Sequence, residues 1–239
     1  MKKSLIVSFL SLLAVLSLAG IATADTLSTY GDVSVISTPN TPPPPAEPNS
    51  WQFTSNVQGA GYAGLDLNIS GNLTVSNLTM LSANYLMTQG AFNGGSPRFT
   101  LFDQGQNSAW IYWGTPQNGG TFSDPNGGTA WGSTGNLADL LSSDIRVYSN
   151  GFGGYGNGNT GVTWATFLAN VGDTKISDIT LDLDGGWLST QQMLVSSMTV
   201  NDQVYEASGA TPEPSTLVMM GSGIIGLAGL LRRKLHASA

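Results

Sequence analysis

Acidic side chains recur at alternate positions near the end of this chain, with Asp178, Thr180, Asp182 and Asp184 interleaved by Ile179, Leu181 and Leu183. Successive side chains of an extended segment point to opposite faces, so residues 179–184 read as a strand with one apolar and one acidic face. Asp182 and Asp184 then stand about 7 Å apart along the backbone. Two carboxylates so placed suit a glycosidase pair or, with Asp178 or Asp202, a calcium site. A solvated strand face has the same pattern. Other chemistries are scarce. There is no cysteine, and the one histidine, His236, falls near the C-terminus. The body therefore has no Ser-His-Asp or Cys-His nucleophile and no ordinary zinc site, and a hydrolase built on it would have to use carboxylates.

Aromatic residues are the second candidate group. In 109–113, Trp110 and Tyr112 fall on one face of a strand, Ile111 and Trp113 on the other. One pair must face the core; the other, on a concave sheet, would offer a flat platform to a sugar ring. Trp131, Tyr155 and Trp187 sit in or beside glycine-rich segments and are placed to line its rim. Core packing is the competing role for every one of them.

The elements that would position these residues are strands. Residues 49–210 contain 25 glycines, which penalises long helices and is tolerated by looped β-architecture. Alternation marks strands at 65–69, 73–75, 98–102, 109–113, 179–184, 193–200 and 203–206, with a turn at Asn201-Asp202. Short helices are expected at 137–141 and 164–169. No repeat of fixed period is visible, which argues against a β-helix. The expected fold is all-β, a jelly-roll-like β-sandwich with one or two short helices, flanked by an N-terminal signal helix and a C-terminal hydrophobic helix. The closing pattern, from Leu183-Asp184-Gly185-Gly186-Trp187 to Met198-Thr199-Val200-Asn201-Asp202-Gln203-Val204-Tyr205, resembles the jelly-roll domains of secreted carbohydrate-binding proteins.

Charge narrows the partners. Residues 25–211 hold three bases, Arg98, Arg146 and Lys175, against fourteen carboxylates, a formal charge of −11. Such a chain repels phosphate backbones, which excludes nucleic acid. Without cysteine, no disulfide holds the fold.

Both ends carry export signals. Lys2 and Lys3 precede an apolar run over 5–21, and Ala22-Thr23-Ala24 supplies a small-x-small site for signal peptidase. At the other end Pro212, Glu213, Pro214, Ser215 and Thr216 lead into an apolar stretch over 217–231, closed by Arg232, Arg233 and Lys234. The prolines favour an extended backbone that a protease can thread. As a helix the stretch reaches roughly 22 Å against a bilayer core of about 30 Å, and the basic cluster holds it as a cytoplasmic stop. This order closely resembles the PEP-CTERM tail of exported bacterial proteins. The resemblance implies membrane insertion and processing near Pro212-Glu213-Pro214 by an exosortase-type protease.

The organisation read from the sequence is a signal peptide (1–24), a proline-rich linker (25–50), a β-sandwich domain (51–209) and a sorting segment (211–239). The functional expectation is a non-enzymatic, exported surface or matrix protein of the bacterial envelope that binds polysaccharide. It needs no cofactor, with calcium at Asp182 and Asp184 as the one metal considered. A structural or adhesive matrix protein and an Asp-dependent glycan-active enzyme are the alternatives.

Overall fold

The computed structural model describes residues 24–39, 48–56, 61–90, 97–116, 122–123, 130–139, 141–142, 144–184 and 190–207. The hydrophobic runs at 5–21 and 217–231 lie outside these residues, as does the proline run at 42–45. The strands are β1 (Thr26–Tyr30), β2 (Asp32–Ser37), β3 (Asn49–Asn56), β4 (Tyr62–Asn68), β5 (Leu81–Gln89), β6 (Arg98–Asp103) and β7 (Ser108–Tyr112). There follow β8 (Thr115–Pro116), β9 (Phe122–Ser123), β10 (Gly132–Ser133), β11 (Arg146–Asn150), β12 (Ile176–Asp184), β13 (Thr190–Val200) and β14 (Gln203–Glu206). One helix, α1 (Trp164–Val171), lies between β11 and β12.

Two antiparallel sheets of six strands form a sandwich. One has the order β1-β4-β12-β6-β7-β11; the other runs β10-β5-β13-β3-β2, with β14 also paired to β13. The chain passes repeatedly between the sheets, in keeping with the jelly-roll-like sandwich expected from the sequence. Alternation decides what fills the middle. In the first sheet Leu67, Ile179, Leu101 and Ala109 form one inward row, and Leu65, Leu181, Phe99, Ile111 and Val147 form the next. The second sheet answers with Phe53, Met193 and Met87, and with Trp51, Val195 and Tyr85. Each large aliphatic or phenylalanine side chain among these contributes about 1.5–3 kcal/mol on leaving water. Helix α1 closes one end of this core with Trp164, Phe167 and Val171, and its first turn is capped where the Thr166 N–H donates to Thr163 Oγ1 at 3.3 Å.

Three expectations are corrected. Residues 26–37 are not linker: β1 and β2 are paired strands of opposite sheets, and Leu27 and Val33 pack against the core. Gly31 alone joins them, at φ +70°, where an added Cβ would collide with the Tyr62 carbonyl oxygen. The strand expected at 73–75 is instead a bridge at Thr74 and a 3₁₀ turn over Val75–Asn77, whose backbone bonds go to Gly172 and Thr174 rather than to a neighbouring strand. The helix expected at 137–141 is a turn at 137–138, because Leu137 N–H donates to the Leu81 carbonyl at 2.7 Å and Asn136 Oδ1 accepts from Leu81 N–H at 3.1 Å. That segment is tied to β5 before a helix can start.

Candidate functional site

The outer face of the first sheet carries a groove of about 500 Å³. Register places its side chains. Ser28, Asp66, Thr180, Thr100, Trp110 and Tyr148 form one row across six strands, and Tyr30, Gly64, Asp182 and Arg98 stand in the row beside it. Gly64 is required here: a Cβ would run into the Leu181 carbonyl and stand 2.6 Å from the Tyr30 hydroxyl, so its absence lets the Tyr30 ring lie over the sheet toward Asp182. Tyr62 meets that ring at 5.9 Å between centroids.

At the centre Asp182 is 7% exposed. Its Oδ2 accepts hydrogen bonds from Thr100 Oγ1 at 2.6 Å and Thr180 Oγ1 at 2.9 Å. Arg98 reaches over both carboxylates, with Nη1 3.1 Å from Asp184 Oδ2 and Nε 3.8 Å from Asp182 Oδ2. It also bonds the Tyr112 hydroxyl. Burial, reinforced by the Asp184 charge, pushes the Asp182 carboxyl up to about 8, so it carries its proton at neutral pH. Asp66 is raised too, first by burial and then by the charge of Asp178. Asp178 Oδ1 is held by Asn68 Nδ2 at 2.9 Å. Asp66 Oδ1 and the Tyr30 hydroxyl are buried atoms of this face without a hydrogen-bond partner among the described residues.

The candidates read from the sequence divide sharply. Trp110 and Tyr112 face outward, but only Trp110 lines the groove; Tyr112 packs edge-on against Tyr148 at 5.5 Å. Trp113 belongs to the core at 2% exposure, its Nε1–H donating to the Tyr85 hydroxyl at 3.3 Å, and is no platform. Trp131 is also buried, packed with Leu86 and Leu194 on the outer face of the other sheet, across the sandwich from the groove. Tyr155 is half-buried against Phe167, at 6.5 Å between rings. Asp182 and Asp184 do come together, with a guanidinium over them where a cation would otherwise sit, and the described residues contain no cluster of three or more metal-binding side chains. Trp187, Pro212, Glu213, Pro214, Ser215, Thr216, Arg232, Arg233 and Lys234 lie outside the described residues. No sequence pattern singles out Tyr30, Asp66, Asn68 or Arg98 as groove residues. Tyr30 lies in the stretch that reads as linker, and Arg98 stands out only as one of three bases in an acidic body.

Residues 210–234 match the profile of the PEP-CTERM protein-sorting motif. The tail is a PEP-CTERM motif. A PEP-CTERM tail marks an exported bacterial protein sorted to the cell envelope or surface, and it implies a membrane-associated sorting step with processing by exosortase. The motif covers the sorting segment alone and leaves the sandwich without an assigned role. No curated protein matches the chain. Among solved structures, an exo-β-agarase is similar over 78% of this chain and 24% of its own, with 9% identity and a TM-score of 0.38. A second agarase is similar over 74% of this chain and 22% of its own, with 13% identity and a TM-score of 0.37. The xyloglucanase domain of NopAA, a type three effector from Sinorhizobium fredii solved with cellobiose, is similar over 77% of this chain and 94% of its own, with 11% identity and a TM-score of 0.36. The chain thus spans about a quarter of each agarase. None of these likenesses assigns a role to a residue of the groove.

Proposed function

We propose that the exported body binds polysaccharide in the groove of the first sheet and does so without chemistry. The supporting observation is the composition of one open face: Trp110 and Phe102 provide apolar surface, while Asn68, Gln106, Asp66 and Arg98 supply hydrogen-bonding groups around it. Sugar rings present the same mixture, apolar faces edged by hydroxyls, and pockets that orient ligands combine the two. Trp110 to Asp66 is three strand spacings, or roughly 14 Å, so a ligand touching both must be an oligosaccharide lying across the strands. Glycan-array binding by the protein recovered from the envelope of an expressing bacterium tests this reading. Binding that disappears in Trp110→Ala supports it; a blank array favours a structural or adhesive matrix role.

Asp182 favours a second reading. A carboxyl that keeps its proton at neutral pH, with Asp184 beside it, has the makings of a general acid in a glycan-active enzyme. Release of reducing sugar from a bound glycan, lost in Asp182→Asn, would establish that reading over simple binding.

A further inference from the structure

We propose that Asp182 meets the bound polysaccharide as an uncharged carboxylic acid, its Oδ1–H donating to a sugar oxygen, so that the groove releases its ligand in alkali. The inference rests on the polysaccharide-binding reading and names how that same site is regulated.

The two oxygens of Asp182 are not equivalent. Oδ2 accepts from Thr100 Oγ1 at 2.6 Å and from Thr180 Oγ1 at 2.9 Å, and Arg98 Nε stands 3.8 Å from it. Oδ1 takes part in no hydrogen bond among the described residues, yet it is not sealed from solvent as Asp66 Oδ1 and the Tyr30 hydroxyl are. Asp182 lines the groove, so this bare oxygen is the one a ligand meets. A proton on Oδ2 would confront the donors already gathered there and displace one of them. On Oδ1 it opposes no donor and is offered to a ligand oxygen.

Charge balance explains why the carboxyl is uncharged. Asp182 sits between Gly64 of β4 and Arg98 of β6, and Arg98 is the one base among the residues lining the groove. That guanidinium gives its hydrogen bond to Asp184, through Nη1 at 3.1 Å, and stands beyond hydrogen-bonding distance of Asp182. The other titratable neighbours do not compensate. Asp184 on the same face of β12 and Asp66, diagonal across β4, are acids. Tyr30 lies over Gly64 toward Asp182, and the Tyr112 hydroxyl of β7 bonds the same guanidinium. A buried carboxylate without a counterion of its own takes up a proton instead. The rise of this carboxyl to about 8 agrees with its placement and sets where the switch falls. Once the proton leaves, a sugar oxygen that accepted from Oδ1 faces a negative charge with no hydrogen between them, and the contact turns repulsive.

Isothermal titration calorimetry at pH 7 and pH 9 decides it, using the envelope-recovered protein with cellohexaose, maltohexaose and N-acetylglucosamine hexamer. Far-UV circular dichroism at each pH keeps loss of fold from being read as loss of binding. Expected is a roughly tenfold fall in affinity from pH 7 to pH 9, the change in the protonated fraction of a group titrating at about 8. Asp182→Asn should bind more weakly than the parent at pH 7, an amide being the poorer donor, and no worse at pH 9. That variant keeps Asp66, Asp184, Arg98, Tyr30 and Tyr112, so a fall that persists in it belongs to one of those groups and overturns the inference. Parent affinity that is equal at the two pH values, and is abolished by Trp110→Ala, also overturns it and leaves the polysaccharide reading intact. Failure of all three hexamers to bind at pH 7 overturns the polysaccharide reading and this inference with it.

Discussion

Replacing Asp182 with asparagine should make the protein's stability less sensitive to alkali. The carboxyl titrates at about 8 in the folded protein against an ordinary value of 3.8, because burial and the neighbouring Asp184 disfavour its ionised form. The folded state therefore holds this proton more tightly than the unfolded chain does. Its favourable contribution is complete below about pH 3.8 and is lost as pH rises toward 8. Between those limits stability falls with each pH unit, by roughly 3 kcal/mol at most from pH 5 to pH 7. Asparagine keeps the shape and cannot ionise, and the Thr100 and Thr180 hydroxyls that now donate to Oδ2 can rotate to suit an amide. Urea unfolding of both proteins at pH 5, 6, 7 and 8 gives the difference directly. The gap between variant and parent should move in the variant's favour across that range. A gap that stays flat would mean that Asp182 ionises normally, with Arg98 supplying the compensation, and the proton-bearing carboxyl would be wrong.

Three further outcomes follow from the geometry. Trp113→Ala should cost about 3–5 kcal/mol, measured by chemical denaturation, because it empties a core position, whereas Trp110→Ala should cost less than about half of that. Gly64→Ala should destabilise the sandwich and turn the Tyr30 ring away from the groove, seen as a lowered melting temperature and altered tyrosine fluorescence. Millimolar calcium should leave the melting temperature unmoved, because a guanidinium already lies over Asp182 and Asp184; a rise of several degrees would reveal a site.

The strands with dense alternation are legible in the amino-acid sequence itself. Residues 179–184 form the last six positions of β12, 98–102 lie in β6 and 109–112 in β7, because period-2 apolar spacing is a local property. Alternation also sorts Trp110 from Trp113, but which of them is buried depends on a second sheet that no local pattern reveals. The same limit hides Asp66. Its neighbour across the ladder is Thr180, far away in sequence, so its meeting with Asp178 exists only once β4 and β12 pair. β1 and β2 escape a sequence reading for a different reason: their apolar positions are sparse, and the prolines that follow give the whole stretch the look of a spacer. The tail is legible from sequence alone, since its order of motif, apolar run and basic cluster is a linear message.

The single residue at Gly31 has a mechanical consequence. A five-residue strand on one layer and a six-residue strand on the other are hinged at that point, like a clip closed over the rim of the two layers. A shortened protein begun at Trp51 would shed both arms of the clip, baring the hydrogen-bonding margins of β4 and β3 to any passing extended chain. It would also forfeit Tyr30, one wall of the groove, so trimming for convenience would remove part of the candidate binding surface.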